Sequence, residues 1–268
     1  MDIYKDKSYV RAKLKHTFLK SLTLKVEFDG LIDLDVENFV QSAGKILYKN
    51  EYNSLEEVFV DDNDKNFVFK TDNGRRVTIS KENIILEINT RINNPMFSNY
   101  LPTVIQLIKE LKKFEFINIK KIGLQKVNTC IIYEKDDISK FFTEKALHLA
   151  SDDVISLEFN EQTQIDNIYF LYNRTITKGR VGSFEDNRIG YQILLDIEGF
   201  MPIVDELDED NLEKSIKKIN NQLYDLFFES LSTEFIKELS QDEFNDGRIA
   251  EVTKNGKNKI LSYSSFRG

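Results

Sequence analysis

The stretch TKGRVGSFEDNRIG, residues 177–190, brings Gly179, Gly182 and Gly190 together with Arg180 and Arg188, and Arg174 and Lys178 lie beside them. A glycine-rich loop binds phosphate when it leads from a strand into a helix, because the first N–H groups of the helix then face the anion. Here the segment runs from YFLYNRTIT into YQILLDI, a second strand-like run, and no G-x-x-x-x-G-K-[ST] occurs. The glycines are therefore expected to supply positive φ in a wide hairpin turn or a bulge. Arg174, Lys178, Arg180 and Arg188 still form the strongest local basic cluster. They are the candidate ligand-binding residues, for a small anionic ligand such as a nucleotide or for a nucleic acid.

Other residue types capable of chemistry are scattered. A metal-dependent nuclease would need carboxylates converging at strand ends, and Asp166, Asp196 and Glu198 are the candidates. Asp196 and Glu198 share a face in a regular strand, being two apart. Glu110 and Lys112 make an E-x-K, but on a helical stripe. The acidic run DELDED (205–210) reads as a solvated helix cap. His16 and His148 stand 132 positions apart and read as surface or capping residues. Cys130, in the apolar run NTCIIY, reads as packing, since burial disfavours the thiolate. No C-x-x-C, H-E-x-x-H, H-x-H or G-x-S-x-G is present. No catalytic residue, metal or cofactor is expected, and the reading leans away from an enzyme.

Composition narrows the class. The 268 residues carry 37 basic and 45 acidic side chains, a net charge of −8, which argues against a general grip on DNA or RNA. No apolar run reaches the ~18 residues of a membrane helix, and the opening MDIYKDKSYVRAKLKH lacks a secretory core. A lone cysteine points to a reducing cytoplasm. Lys, Asn and Ile usage looks AT-rich, as in a bacterium or its phage.

The elements that must position these residues follow from periodicity. TLKVEF (23–28) alternates as a strand, and a helix follows around 35–48. EEVFVDD, NFVFKT, RRVTIS and NIILEIN form a meander, with DNG at 72–74 as a hairpin signal. A helical stripe runs from Leu101 to Phe114. Then 117–133 reads as a long strand and 137–148 as a short helix. VISLEFN, NIYFLYNRTIT and YQILLDIEG read as strands. A long helix begins near Asp208 to Asp210 and carries its stripe through Leu231 and Phe235 to Leu239. The tail from Lys254 reads as a hairpin or a frayed end. The expectation is an α+β fold, a mostly antiparallel sheet with helices on one face. Strand–helix–meander–helix occurs twice, so two pseudo-repeats, 1–116 and 117–268, are expected to share one continuous domain.

IGLQKVNTCII (122–132), LLDIEGF (194–200) and YDLFFESLSTEFIKEL (224–239) resemble a sporadically distributed family of uncharacterised bacterial proteins. That family has an I-G-L-R-Y-I-N-like strand, then an L-D-I-like strand, then a helix with an F-E-x-x-I-T-like signature. The matches are Ile122, Gly123, Leu124, Val127, Asn128, Leu195, Asp196, Ile197, Phe228, Glu229, Leu231 and Ser232. Gln125 and Lys126 depart from it. The resemblance implies the patchy distribution of mobile or host-defence loci and no known reaction. The first functional expectation is a non-enzymatic binding or assembly component, in an antiphage-defence setting, with a protein partner or self-association. A small-ligand or nucleotide sensor is the alternative. A cryptic nuclease ranks last.

Overall fold

The computed structural model describes residues 14–60, 65–90, 97–114, 117–147, 155–181, 188–203, 209–244, 246–254 and 266–267. In chain order the first half comprises β1 (His16–Thr17), β2 (Leu19–Phe28), α1 (Asp33–Lys49), β3 (Ser54–Phe59), β4 (Lys65–Lys70), β5 (Arg75–Ile79), β6 (Asn83–Asn89) and α2 (Leu101–Leu111). The second comprises β7 (Ile119–Ile132), α3 (Lys135–Phe141), β8 (Ser156–Ile165), β9 (Ile168–Val181), β10 (Arg188–Pro202), α4 (Glu209–Ser230) and α5 (Thr233–Leu239). Three short strands follow: β11 (Ile249–Ala250), β12 (Thr253–Lys254) and β13 (Phe266–Arg267).

All strands but β1 and β12 join one sheet of eleven, antiparallel at every pairing. Its path runs β9-β10-β7-β2-β6-β5-β4-β3, with β8 on the outer side of β9. In each half the first long strand pairs with the last strand of the meander that follows it, β2 with β6 and β7 with β10. The two first strands pair with each other and tie the halves together. The halves differ in detail. The first meander has four strands and the second three, and the second ends in two helices.

Strand alternation sends one row of each strand toward the helices. Phe69, Val77, Leu86, Leu24, Leu124, Gly199 and Phe170 stand in a single register line across seven strands. The line has a helix at each end on the same face. Gly44 of α1 lies over the Phe69 ring, and Gly199 lies under Ile219 and Leu223 of α4. The α4 stripe Leu212, Ile216, Ile219, Leu223 and Phe227 is buried, each side chain worth about 1.5–3 kcal/mol of transfer free energy. The Asp72-Asn73-Gly74 turn joins β4 to β5, with Gly74 at φ 80°, as the DNG signal requires.

Three expectations fail in instructive ways. The last helix does not run unbroken to Leu239. It stops at Ser230, and Leu231 bridges to Phe142. Ser232 then caps a new helix by accepting the Phe235 N–H at 3.1 Å, while its hydroxyl donates to the Lys140 carbonyl. The break seats Phe235 among Phe18, Phe141 and Phe142, ring centroids 4.9–5.7 Å apart. The short helix after β7 ends at Phe141 rather than reaching 148, because Thr143 bonds the carbonyls of Glu229 and Ser230 instead. Gly179 and Gly190 of the opening stretch do not supply positive φ. Gly179 and Gly190 face each other in strand conformation across β9 and β10. A Cβ on Gly190 would lie 2.7 Å from Val181 Cγ2 and 3.2 Å from Ile131 Cγ2, so close packing selects glycine there. Gly182, His148, most of DELDED and most of the tail lie outside the described residues.

Candidate functional site

The four cations singled out in the sequence do not converge. Arg174, Lys178 and Arg180 sit at alternate positions of β9 and share the helix-side face, whereas Arg188 pairs with Val181 and points to the other. Arg174 is buried. It donates to Glu161 Oε2 at 3.0 Å and to the Lys145 carbonyl at 3.2 Å, and its guanidinium lies 4.6 Å from the centre of the Tyr172 ring. Lys178 lies 6.0 Å from the Tyr191 ring centre, and Arg180 is exposed. Arg188 stacks over Tyr133 at 4.0 Å, with Glu134 3.7 Å away. Arg174 is thus part of the packing, and the cluster is split between two faces.

The acids do not converge either. Asp196 and Glu198 share the open face, as alternation requires, and Gln125 donates to Asp196 Oδ1 at 2.8 Å. Burial raises the Asp196 pKa, and the Gln125 bond partly opposes this. Asp166 stands apart in the β8–β9 turn, at φ 56°, paired with Lys218 of α4 at 2.7 Å. Among the described residues no group of three or more His, Cys, Asp or Glu is placed to hold a metal ion. Cys130 is fully buried, and burial pushes its thiol up. Glu110 pairs with Lys113 on the surface.

The core face of β7 carries a feature that the sequence reading left unused. From Ile122 the inward positions run Ile122, Leu124, Lys126, Asn128, Cys130, Ile132. Lys126 stands in register with Leu22 and Ile197, and the same line continues to Tyr172. Asn128 stands with Leu195, and its line continues to Arg174. Two neighbouring rows of the core face are therefore polar where the rows around them are apolar. At the β9 end most of the stripe's polar atoms are bonded, although the buried Arg174 Nε has no hydrogen-bond partner. The Tyr172 hydroxyl bonds the Ser230 hydroxyl, Ser230 donates to the Leu226 carbonyl at 2.8 Å, and burial pushes Tyr172 up to about 12. At the β7 end the stripe borders a cavity of ≈ 160 Å³ between the sheet, α4 and residues 14–19. Lys126, Asn128 and His16 give it polar walls, and Ile197, Leu223 and Phe227 give it apolar ones. Asn128 Nδ2 donates to the Leu195 carbonyl at 3.4 Å.

His16, expected at the surface, is buried. It pairs with Lys254 in the β1–β12 ladder, and its ring lies 5.6 Å from that of Phe244. Its Nδ1 has no hydrogen-bond partner. Burial lowers its pKa, a hydrogen bond with the Leu239 backbone partly opposes this, and the imidazole is neutral at pH 7. The signal for Lys126 and Asn128 was present in the sequence. Carrying the phase of Ile122 and Leu124 forward puts both on the core side.

A second charged centre lies behind α5. Arg248 donates to Asp246, Glu238 and Glu234 at 2.5, 2.9 and 3.4 Å, and it sits 4.8 Å from the Phe141 ring centre. Burial, then the neighbouring Asp246, pushes Glu238 up to about 7.

Several exposed large apolar side chains lie on β3 and at the start of α1. β3 is a sheet edge with a single neighbour, and Leu55, Val58, Phe59 and Val60 along it are exposed, Phe59 by 71%. Ile32 and Leu34, at the start of α1, are exposed by 67% and 66%. Lys65 links the two elements, meeting Glu37 of α1 at 3.1 Å and Glu57 of β3 at 3.8 Å. No described helix is long and apolar enough to cross a membrane.

Against this geometry, comparison with known proteins adds no name. No family model matches the sequence, and no curated protein matches it.

Proposed function

We propose that the chain is a non-enzymatic binding or assembly component that docks a protein through the β3 corner. The observation that carries this reading is the exposure of Leu55, Val58, Phe59 and Val60 along the edge strand β3, with Ile32 and Leu34 exposed at the start of α1. An edge strand presents unpaired N–H and C=O groups, and natural proteins blunt such edges unless they are used. Here the edge strand bears aromatic and branched side chains instead, the pattern that strand addition exploits. Glu56 and Glu57 are already paired with Lys70 and Lys65, so the edge keeps little free charge to repel a partner strand. A second copy of this chain or an extended segment of another protein would add a strand beside β3.

The test is light scattering on the purified chain, with and without co-expressed neighbouring gene products, repeated for Val58→Lys and Phe59→Lys. Association that the two substitutions abolish without lowering the melting temperature supports the reading. A monomer that captures no partner, or an assembly indifferent to both substitutions, overturns it.

A further inference from the structure

We infer that residues 246–254 form a strap along the end of β7, latched by Arg248 among carboxylates, and that the latch loosens as pH rises through neutrality. This goes beyond the docking reading and uses a different part of the molecule. β2 accompanies β7 only as far as Asn128. Beyond it the same edge is taken by β11, with Ala250 against Ile131 and Ile249 against Ile132. The Tyr133 N–H donates to the Arg248 carbonyl at 3.0 Å, and Thr253 Oγ1 donates to the Thr17 carbonyl at 3.2 Å. Ile249 and Val252 are the buried apolar anchors. β11 and β12 each hold by two residue pairs, so the strap is a short unit that can open without the rest of the sheet.

The latch is uneven in charge. Arg248 serves Asp246, Glu238 and Glu234 of α5 together. Asp137 of α3 stands 3.9 Å from the same guanidinium and pairs with Lys140. A cleft of ≈ 280 Å³, bordered also by Glu243 and Phe244, lets solvent reach the group. After α5, Asp242 accepts from Lys15 through its side chain and from Lys254 through its carbonyl, and Glu251 lies between β11 and β12. Glu238 Oε2 is buried with no hydrogen-bond partner. A bare carboxylate oxygen there is costly, whereas a protonated carboxyl can donate toward Asp246. Burial and then Asp246 raise Glu238 to about 7, while Asp246 is held low chiefly by Arg248. A group raised in the closed state favours closure fully below its ordinary 4.5 and ceases to as pH passes about 7. His16 acts in the opposite sense. Burial lowers its pKa, so it opposes closure only as pH falls below its ordinary 6.5.

The experiment is native-state hydrogen exchange on the full chain at pH 6 and pH 8, read by peptide mass spectrometry and corrected for the intrinsic pH dependence of exchange. Peptides covering 129–133 and 246–254 report on the strap, and those covering β4 to β6 serve as the reference. From pH 6 to pH 8 the strap of the wild type should lose about threefold more protection than that of Glu238→Gln, after discounting for solvent screening. His16 is common to both chains and cancels. The reference peptides should keep the same protection in both. If Glu238→Gln does not fold, Glu238→Met serves, with the same expectation. An equal loss in wild type and variant, or a loss shared by the strap and the reference peptides, would overturn the inference. None of these outcomes bears on association through β3.

Discussion

Two glycines on neighbouring strands make a sharp test of the packing. Gly199 on β10 faces α4, and Gly123 on β7 faces the open side, one register step away. A Cβ at 199 would lie 2.8 Å from Phe170 Cε1, 3.0 Å from Ile219 Cγ2 and 3.2 Å from Leu223 Cδ2. All three neighbours are fully buried in the core, so none can swing into solvent. Overpacking of this kind costs about 1–3 kcal/mol. Against it stands the smaller unfolded-state entropy of alanine, about 0.4–1 kcal/mol in its favour. Gly199→Ala should therefore lose about 1–2 kcal/mol. At 123 the nearest atom, Phe200 Cβ, is 3.6 Å away, an ordinary contact, and φ is not in the left-handed region. Only the entropy effect remains, and Gly123→Ala should gain about 0.4–1 kcal/mol. Urea titration followed by far-ultraviolet circular dichroism reads both as midpoint shifts of opposite sign. In a thermal melt each kcal/mol corresponds to about 2–4 °C for a chain of this size. A midpoint for Gly199→Ala at or above wild type, or an equal fall for both variants, would refute the account of how α4 seats on the sheet.

Other expectations follow from single side chains. Glu238 has a folded pKa raised to about 7 from an ordinary 4.5, so the folded state holds a proton that the unfolded chain releases between those values. Its contribution is present below pH 4.5 and lost as pH rises to 7, and Glu238→Gln should remove that slope and stabilise the chain at pH 8 by about 1 kcal/mol, allowing for solvent screening. Asp246 has a lowered pKa, so its own contribution fades only below the ordinary carboxylate range, outside that window. Equal pH slopes for wild type and Glu238→Gln in denaturant titrations would contradict this. Ser232→Ala should cost about 1–2 kcal/mol through the lost cap and the lost bond to Lys140, measured by the same titration. Cys130 should resist a chromogenic disulfide reagent in buffer and react fully in denaturant, since its sulfur is buried and its thiol form favoured.

Where the sequence was legible, one physical signal carried it. Val36, Phe39, Val40, Ala43 and Leu47 repeat at helical spacing, and all five are buried on α1. Leu24, Val26 and Phe28 alternate, and β2 buries them. The unreadable parts depend on contacts distant in the chain. Leu231 and Ser232 look like two more residues of an apolar helical stripe, and only the bonds to Phe142 and Lys140 reveal the break. His16 looks like the end of a basic segment until Thr253 and Lys254 pair beside it. Arg174 looks like one cation in a cluster, and its burial follows from Glu161 on the neighbouring strand and Lys145 from the loop after α3. Gly190 reads as a turn residue, whereas the atoms that demand it belong to Val181 and Ile131.

The violations of pattern are not scattered over the core. In the middle of the sheet the inward-facing polar side chains fall on two adjacent rows, those of Lys126 and Asn128, while the row through Leu124 and Gly199 is wholly apolar from Phe69 to Phe170. Polar groups inside a core cost stability unless partners satisfy them. The β9 end of the stripe meets that condition in all but the buried Arg174 Nε, because Tyr172, Ser230, Arg174 and Glu161 bond one another or nearby carbonyls and so hold α4 to the sheet. Structural need accounts for that end. At the other end Lys126 and Asn128 border the cavity lined also by Ile197 and Leu223. Sequences that fold well are consistent across levels, and local departures mark function more often than accident. Lys126 and the buried His16 are such departures at the β7 end of the stripe, where they border the cavity beneath α4, whereas the cations of the glycine-rich stretch are divided between two faces.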